Sequence, residues 1–358
     1  MGLPFIDSAI GRKRDQMMAV DLGSRTTKAV CVQRRGQSFA FCGFALLDAP
    51  IYEKNLPPDL LSEHLKAVNQ ALQPPSRYVC LAAGVNDVLL RHADIPRMPV
   101  SDMRRVLKLN AKTYLQQDLL GHVFDCHVSA RAQQPAPNGK LKDTGGPPKQ
   151  RVLVVAARKQ LVDDFVQGAK GAGLVAECIV PGLIGPVNVF EKAMPEVFEN
   201  EAVALVDLGF KNSSICILLH GEVILSRVVG IGGDKMTNGV AEALGISYAE
   251  AEGIKIGMPS EVQAQLESLL LPLGRELRAS IDFFEHQQDR PVTQVFLTGG
   301  CSRSEFIVQK LHQELMVECK VLNPITFLQM QLPPQQTSEI EQVAPQLTVA
   351  LGAALAAL

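Results

Sequence analysis

The sequence predicts an α/β protein of two similar halves around one cleft, and three observations carry that prediction. First, the run Val20-Asp21-Leu22-Gly23-Ser24-Arg25-Thr26-Thr27-Lys28-Ala29-Val30-Cys31-Val32 returns 186 residues later (21 to 207). There it reads Val206-Asp207-Leu208-Gly209-Phe210-Lys211-Asn212-Ser213-Ser214-Ile215-Cys216-Ile217-Leu218. A repeat at about half of the 358-residue chain sets the architecture before any single element does. Second, each copy holds an apolar strand ending in Asp, a glycine turn and a second apolar strand. A further turn (Arg35-Gly36-Gln37, His220-Gly221-Glu222) then leads to a third, so both halves open with an antiparallel meander. Third, Val295-Phe296-Leu297-Thr298 runs into Gly299-Gly300-Cys301-Ser302-Arg303, and a helical pattern follows from about Ser304 to Leu315.

Between the copies the pattern is mixed. Leu81-Ala82-Ala83-Gly84 is followed by Arg91 to Pro99 and a helical spacing of Val100, Met103, Leu107 and Tyr114. Strand-like runs at Val123–Ala130 and Arg151–Ala157 flank the loop Gln133–Gln150, which has four Pro and three Gly. A second amphipathic helix carries Leu161, Phe165, Val166 and Ala169, and Leu174–Val180 reads as another strand.

Composition excludes several functions. Thirty-five Lys and Arg against 37 Asp and Glu give a net charge of −2, which argues against a nucleic-acid partner. With 5% aromatic residues and no Trp, a base- or sugar-stacking platform is also unexpected. None of the eight cysteines stands in a C-x-x-C pair, and most lie in apolar runs, as in a reducing compartment. Met1–Ile10 lacks the apolar core of a secretory signal, and Leu347–Leu358 falls short of the ~20 residues of a membrane span. A cytoplasmic location is therefore expected.

The repeated turn has readable chemistry. Glycine and short polar residues let backbone N–H groups approach an anion, so Gly23–Thr27 and Gly209–Ser213 can cradle phosphate oxygens. An aspartate at each strand end, Asp21 and Asp207, can hold a hydrated Mg²⁺ that bridges them. The double glycine lets a flat ligand lie against backbone, and the helix after it favours anions.

Together these segments resemble the actin, sugar-kinase and heat-shock-chaperone ATPase superfamily. Asp21–Lys28 looks like its first phosphate motif, Asp207–Ser214 its second and Leu297–Ser302 its adenosine motif. Arg227-x₄-Gly232-Gly233-Asp234-x-x-Thr237, then Ala251-Glu252-x-x-Lys255, is similar to FtsA-type proteins, and most closely to the PilM family of cytoplasmic type IV pilus assembly proteins. The ending Val349–Ala354 also looks like that family's last helix. The resemblance implies an actin-like duplicated fold that binds ATP and Mg²⁺. The division it implies is a first lobe at 17–96, a small α+β insertion at 97–180 and a crossover helix at 181–200, then a second lobe at 201–340 and a C-terminal helix at 341–358 that returns to the first. The residues it implies at the nucleotide are Asp21, Gly23, Ser24, Thr26, Thr27 and Lys28 in the first loop, and Asp207, Gly209, Asn212 and Ser213 in the second. Gly232 and Gly233 join them, with Gly299, Gly300 and Ser302 behind the adenosine. It places Glu252 and Lys255, three apart on one helix face, near ribose and adenine. Asp21 and Asp207 are the expected metal carboxylates.

Two departures matter. Phe210 and Lys211 stand where the family has small residues, so either phosphate approach to the second loop is altered or Lys211 compensates with its charge. Ile179-Val180-Pro181-Gly182-Leu183-Ile184 offers no acid or amide to position a water, so slow or absent ATP hydrolysis is expected and no catalytic residue is assigned. The resemblance further implies a partner, the cytosolic tail of a PilN-like inner-membrane protein. That tail would tether the chain to a pilus or related secretion complex, and self-association is a further expectation. Two other functions fit the same fold: an FtsA-like cell-division filament protein and a small-molecule kinase.

Overall fold

The computed structural model describes residues 6–7, 14–53, 55–128 and 148–358; most of the Pro- and Gly-rich loop, residues 133–147, lies outside these. In chain order the first part contains β1 (Ile6–Asp7), β2 (Gln16–Leu22), β3 (Thr26–Arg35), β4 (Ser38–Asp48), α1 (Pro58–Ala71) and β5 (Tyr78–Ala83). Then come β6 (Val88–Pro96), α2 (Val100–Leu115), β7 (His122–Val128), β8 (Lys149–Arg158), α3 (Lys159–Gly171) and β9 (Val175–Pro181). Helices α4 (Gly185–Ala193) and α5 (Pro195–Asn200) cross to β10 (Ala202–Leu208), β11 (Ser213–Leu219) and β12 (Glu222–Val229). The second part continues with α6 (Gly233–Leu244), α7 (Tyr248–Gly257), α8 (Gln263–Gln288), β13 (Gln294–Thr298), α9 (Glu305–Leu315) and β14 (Glu318–Val321). It closes with β15 (Leu328–Met330), α10 (Pro334–Thr337), α11 (Ile340–Val343) and α12 (Thr348–Ala357).

The repeat in the sequence is a repeat in topology. Five strands of the first sheet run β9-β5-β2-β3-β4, and the second sheet runs β14-β13-β10-β11-β12. Each has two antiparallel pairs beside two parallel ones. The correspondence extends to register. Asp21 pairs with Lys28 and Asp207 with Ser214, and the ladder shifts between Cys31 and Val32 in one copy and between Ile217 and Leu218 in the other. Those shifts are 186 residues apart, like the motifs (31 to 217). In the first sheet β1 adds outside β9 and β15 outside β4.

Burial explains the apolar runs. Met17 to Val20 are fully buried because the first sheet is covered on both faces, a setting that selects continuous rather than alternating apolar residues. Helix α1 starts with Pro at its first position and buries Leu61, Leu65 and Val68, one stripe at helical spacing, and packs beside α3. Helix α12 is apolar all round and is buried against β2, β3, β5 and α4. The segment Ile340–Ala357 is apolar enough to span a membrane by composition, but 61% of it is buried inside the protein. Phe190 on α4 meets Phe296 on β13, ring centroids 4.7 Å apart, so one core runs from the first sheet into the second. Burying such a ring contributes about 1.5–3 kcal/mol. The other face of the second sheet packs on α6, α8 and α9.

The third sheet, β6-β8-β7, has its own core of Ile95, Met103, Leu107, Ala111 and Val154 under α2. Its strands do not follow the expected bounds of 97 and 180. Val88–Pro96 pairs with β8 and belongs to this small sheet, while Val175–Pro181 pairs with β5 in the first sheet. Backbone pairing, which local composition does not reveal, decides both. The 181–200 crossover is two helices, broken where Met194 leaves helical geometry before Pro195.

Candidate functional site

The two Asp-Gly turns lie at the ends of β2 and β10, and both glycines are tightly enclosed. A Cβ on Gly23 would stand 2.6 Å from the Thr26 carbonyl, and one on Gly209 2.6 Å from the Asn212 carbonyl. A side chain at either place would fill the turn, so the duplicated loops are narrow for the same reason.

Charge concentrates between them. Lys28 Nζ donates to Asp21 Oδ2 at 2.9 Å, across the β2–β3 ladder. Burial lowers the Lys28 pKa, but the charge and hydrogen bond of Asp21 and the more distant charge of Asp207 outweigh it and raise it overall. Asp207 accepts a hydrogen bond from Thr298 Oγ1 at 3.0 Å, from the neighbouring parallel strand. Burial pushes its carboxyl above the usual aspartate range, against the pull of Lys28 and Thr298 and with the repulsion of Asp21. Asp21, Lys28 and Asp207 thus interact as one cluster across the two lobes.

Helix α7 brings the next group. Ser247 accepts from the Glu250 N–H while the Glu250 side chain accepts from the Ser247 N–H, a reciprocal cap that fixes where the helix starts. Glu252 and Lys255 then share one face, with Lys255 Nζ 2.7 Å from Glu252 Oε2. Lys255 also donates to Thr237 Oγ1 at 2.6 Å and to the Gly233 carbonyl at 3.2 Å, and the Thr237 hydroxyl donates to Glu252. Burial raises the Glu252 pKa, but the bonds from Lys255, Thr237 and Arg25 hold it below the ordinary glutamate value. The N-terminus of α6 joins this group to the second loop, because Gly233 N–H donates to the Gly209 carbonyl at 3.0 Å and Asp234 N–H to that of Phe210 at 2.8 Å.

The third motif closes the back. Gly299 has φ +87°, where L side chains are strained, and a Cβ there would lie 2.6 Å from the Leu208 carbonyl and 2.8 Å from Asp207 Oδ1. Gly300 follows in a single 3₁₀ turn, and a cavity of about 470 Å³ lined by Ser302, Arg303, Glu305 and Pro345 opens beside it.

Not every named side chain faces the cleft. Thr27 is buried and bonded to His64 Nε2 at 2.7 Å, Ser213 Oγ donates to the Ile231 carbonyl at 2.6 Å, and Ser302 Oγ donates to the Gly299 carbonyl at 2.8 Å. The two serine hydroxyls fix backbone, and Thr27 ties the first loop to α1 through His64. Ser24 is exposed and Thr26 half-buried at the mouth of the first loop; Asn212 contributes its carbonyl to Gly209 N–H at 3.1 Å. Gly232 precedes α6 and lies against the carbonyls of Phe210 and Gly209.

Sequence reasoning missed four residues here. Thr298 and His64 hold Asp207 and Thr27, and Cys301 Sγ sits 3.5 Å from the Gly209 carbonyl. Arg25 bonds Glu252 at 2.5 Å and lies 5.3 Å from the centre of the Phe210 ring. An arginine between the glycine and the lysine of the first loop was the one available signal.

Residues 140–358 match the family model described as type IV pilus assembly protein PilM. The chain is 20% identical over 254 residues to the cell division protein FtsA of Bacillus subtilis (strain 168), covering 66% of this chain but 57% of that relative. Among solved structures, the PilM-PilN type IV pilus biogenesis complex contains a chain similar at TM-score 0.82 and 22% identity, covering 97% of this chain and 99% of that one. The ethanolamine utilization protein EutJ of Carboxydothermus hydrogenoformans is similar at TM-score 0.56 and 14% identity, over 98% and 94% of the two chains. MreB5 of Spiroplasma citri bound to AMPPNP is similar at TM-score 0.53 and 9% identity, over 95% of each. These likenesses show the actin-like fold.

Proposed function

The chain belongs to the PilM family of type IV pilus assembly proteins, and from that premise we propose that it is an ATP-binding scaffold of a pilus or related secretion assembly. The observation that carries the nucleotide half of this reading is the Asp21–Lys28–Asp207 cluster between two enclosed glycine turns. The donor set fits a polyphosphate. Backbone N–H groups of the Gly23 and Gly209 loops and the Lys28 ammonium would hold phosphate oxygens. Asp21 and Asp207 would orient a hydrated Mg²⁺, which supplies charge neutralisation when bound. Glu252 and Lys255 would take the ribose, and the Gly299–Gly300 backbone would lie against the adenosine. The solved neighbour bound to AMPPNP supports a nucleotide in a fold of this kind.

Hydrolysis is expected to be slow. Pro181 to Ile184 are buried and carry no acid or amide, and Asn188 on α4 spends its Nδ2 on the Gly352 carbonyl at 3.0 Å. Nothing in that stretch orients an attacking water. ATP would then act by biasing the opening of the two lobes, through its different affinity for each state.

The solved complex pairs its PilM chain with PilN, and we infer that this chain docks the cytosolic tail of a PilN-like inner-membrane protein. It would thereby sit in the cytoplasm, held at the membrane through that partner. The small β6-β8-β7 unit, with its own core, is read as an inserted subdomain. A fluorescent peptide of that tail should bind the full chain saturably, and its failure to bind at high micromolar concentration would remove the docking claim.

A further inference from the structure

Arg25 and Glu252 come from opposite lobes, 227 residues apart, and their side chains meet at 2.5 Å. Arg25 stands in the loop between β2 and β3, whereas Glu252 is on α7, whose Ala251 and Ile254 pack in the core of the second lobe. The guanidinium also lies 5.3 Å from the centre of the Phe210 ring, so the first loop touches the second. The other Glu252 oxygen is held by Lys255 and Thr237, both buried. The two ends differ in freedom: the Arg25 side chain is 45% exposed and that of Glu252 13%. Glu252 is a fixed socket, and Arg25 is the arm that can leave it.

We propose that Arg25 and Glu252 form a latch that holds the unliganded cleft shut and that an entering nucleotide releases. The release half rests on the nucleotide-binding reading given above; the latch itself rests on the contacts alone. Phosphates arriving between the two glycine loops attract the guanidinium, and sugar hydroxyls compete for the carboxylate, so both ends of the bond are drawn off by one ligand. A protein whose binding-competent state is fractionally populated binds more weakly by that fraction, and removing the latch restores it. For a half-exposed ion pair the effect is about two- to fivefold.

The test compares the full chain with its Arg25→Ala variant, first by amide exchange without nucleotide and then by titration with ATP. Amides of residues 249–256, on the lobe opposite the substitution, should exchange about two- to fivefold faster in the variant. Those of β13 should be unchanged, which shows that the variant is folded. ATP should bind the variant about two- to fivefold tighter. Unchanged exchange at 249–256 overturns the latch. Weaker ATP binding by the variant overturns the release step and makes Arg25 a phosphate ligand instead. Should the wild type bind no ATP at all, the nucleotide reading and the release step fall together, while the exchange result still decides whether the latch exists.

Discussion

The two copies of the strand–loop–strand unit share strand order, register and even the position of a ladder irregularity, yet they balance their strand-end aspartates differently. Asp21 faces a lysine across its ladder, whereas the same place opposite Asp207 is Ser214. On the parallel side the relation reverses: Asp21 neighbours Ala82, while Asp207 neighbours Thr298 and accepts its hydroxyl. The first copy therefore supplies charge and the second supplies neutral donors. Lys28 acts on both carboxylates, so the cation of one lobe conditions the acid of the other. Duplication leaves the two halves free to specialise as long as the cleft holds them together.

Breaking that division should show most clearly at Lys28. Lys28→Ala leaves two carboxylates without their shared cation, and denaturant unfolding should register a loss of about 2–3 kcal/mol. Gly299→Ala forces a side chain into a left-handed conformation against the Leu208 carbonyl and Asp207, at about 1–3 kcal/mol. Thermal melting should fall accordingly. Asp207→Asn acts in the other direction. Burial raises the folded pKa of Asp207 above its unfolded value, so its ionised form destabilises the fold at neutral pH and stability grows as pH falls through that pKa. The asparagine variant should melt higher than the wild type at pH 7 while binding ATP more weakly.

Glu252 sharpens the contrast with Asp207 through the opposite sign. Its pKa is held down, so its contribution is present above the ordinary glutamate value of about 4.3 and is lost as pH falls through the lower folded value. The protection factors of amides 249–256, that is, their exchange corrected for the pH dependence of intrinsic exchange, should be flat across neutral pH and fall below about pH 4. The smallest effect belongs to Phe210→Ser, which gives the second loop the residue of the first. Losing the stacked guanidinium should cost about 0.5–1 kcal/mol, measurable by chemical denaturation.

Much of this comparison could be read from the chain. The 186-residue offset between motifs (21 to 207) reappears as equivalent sheets, and the strand ending at Thr298 runs into the double glycine as its apolar pattern implies. Periodicity and turn residues report local geometry well. What they do not report is where a short polar side chain turns. Thr27, Ser213 and Ser302 each found a partner away from the cleft, the His64 ring, the Ile231 carbonyl and the Gly299 carbonyl, because a buried hydroxyl must be satisfied by whatever polar group the fold brings near. Nor does sequence spacing reveal that Arg25 meets Glu252, since the two stand 227 residues apart and only the tertiary fold brings them together.

The central claim is that one nucleotide binds between the two glycine loops. Calorimetric titration of ATP with Mg²⁺ into the full chain tests it most directly, with Lys28→Ala alongside. The account predicts saturable binding at one site per chain, weakened at least about 30-fold by the substitution, the loss of one strong charge-assisted contact. Absence of binding at millimolar ATP, or equal affinity for the two proteins, would contradict it.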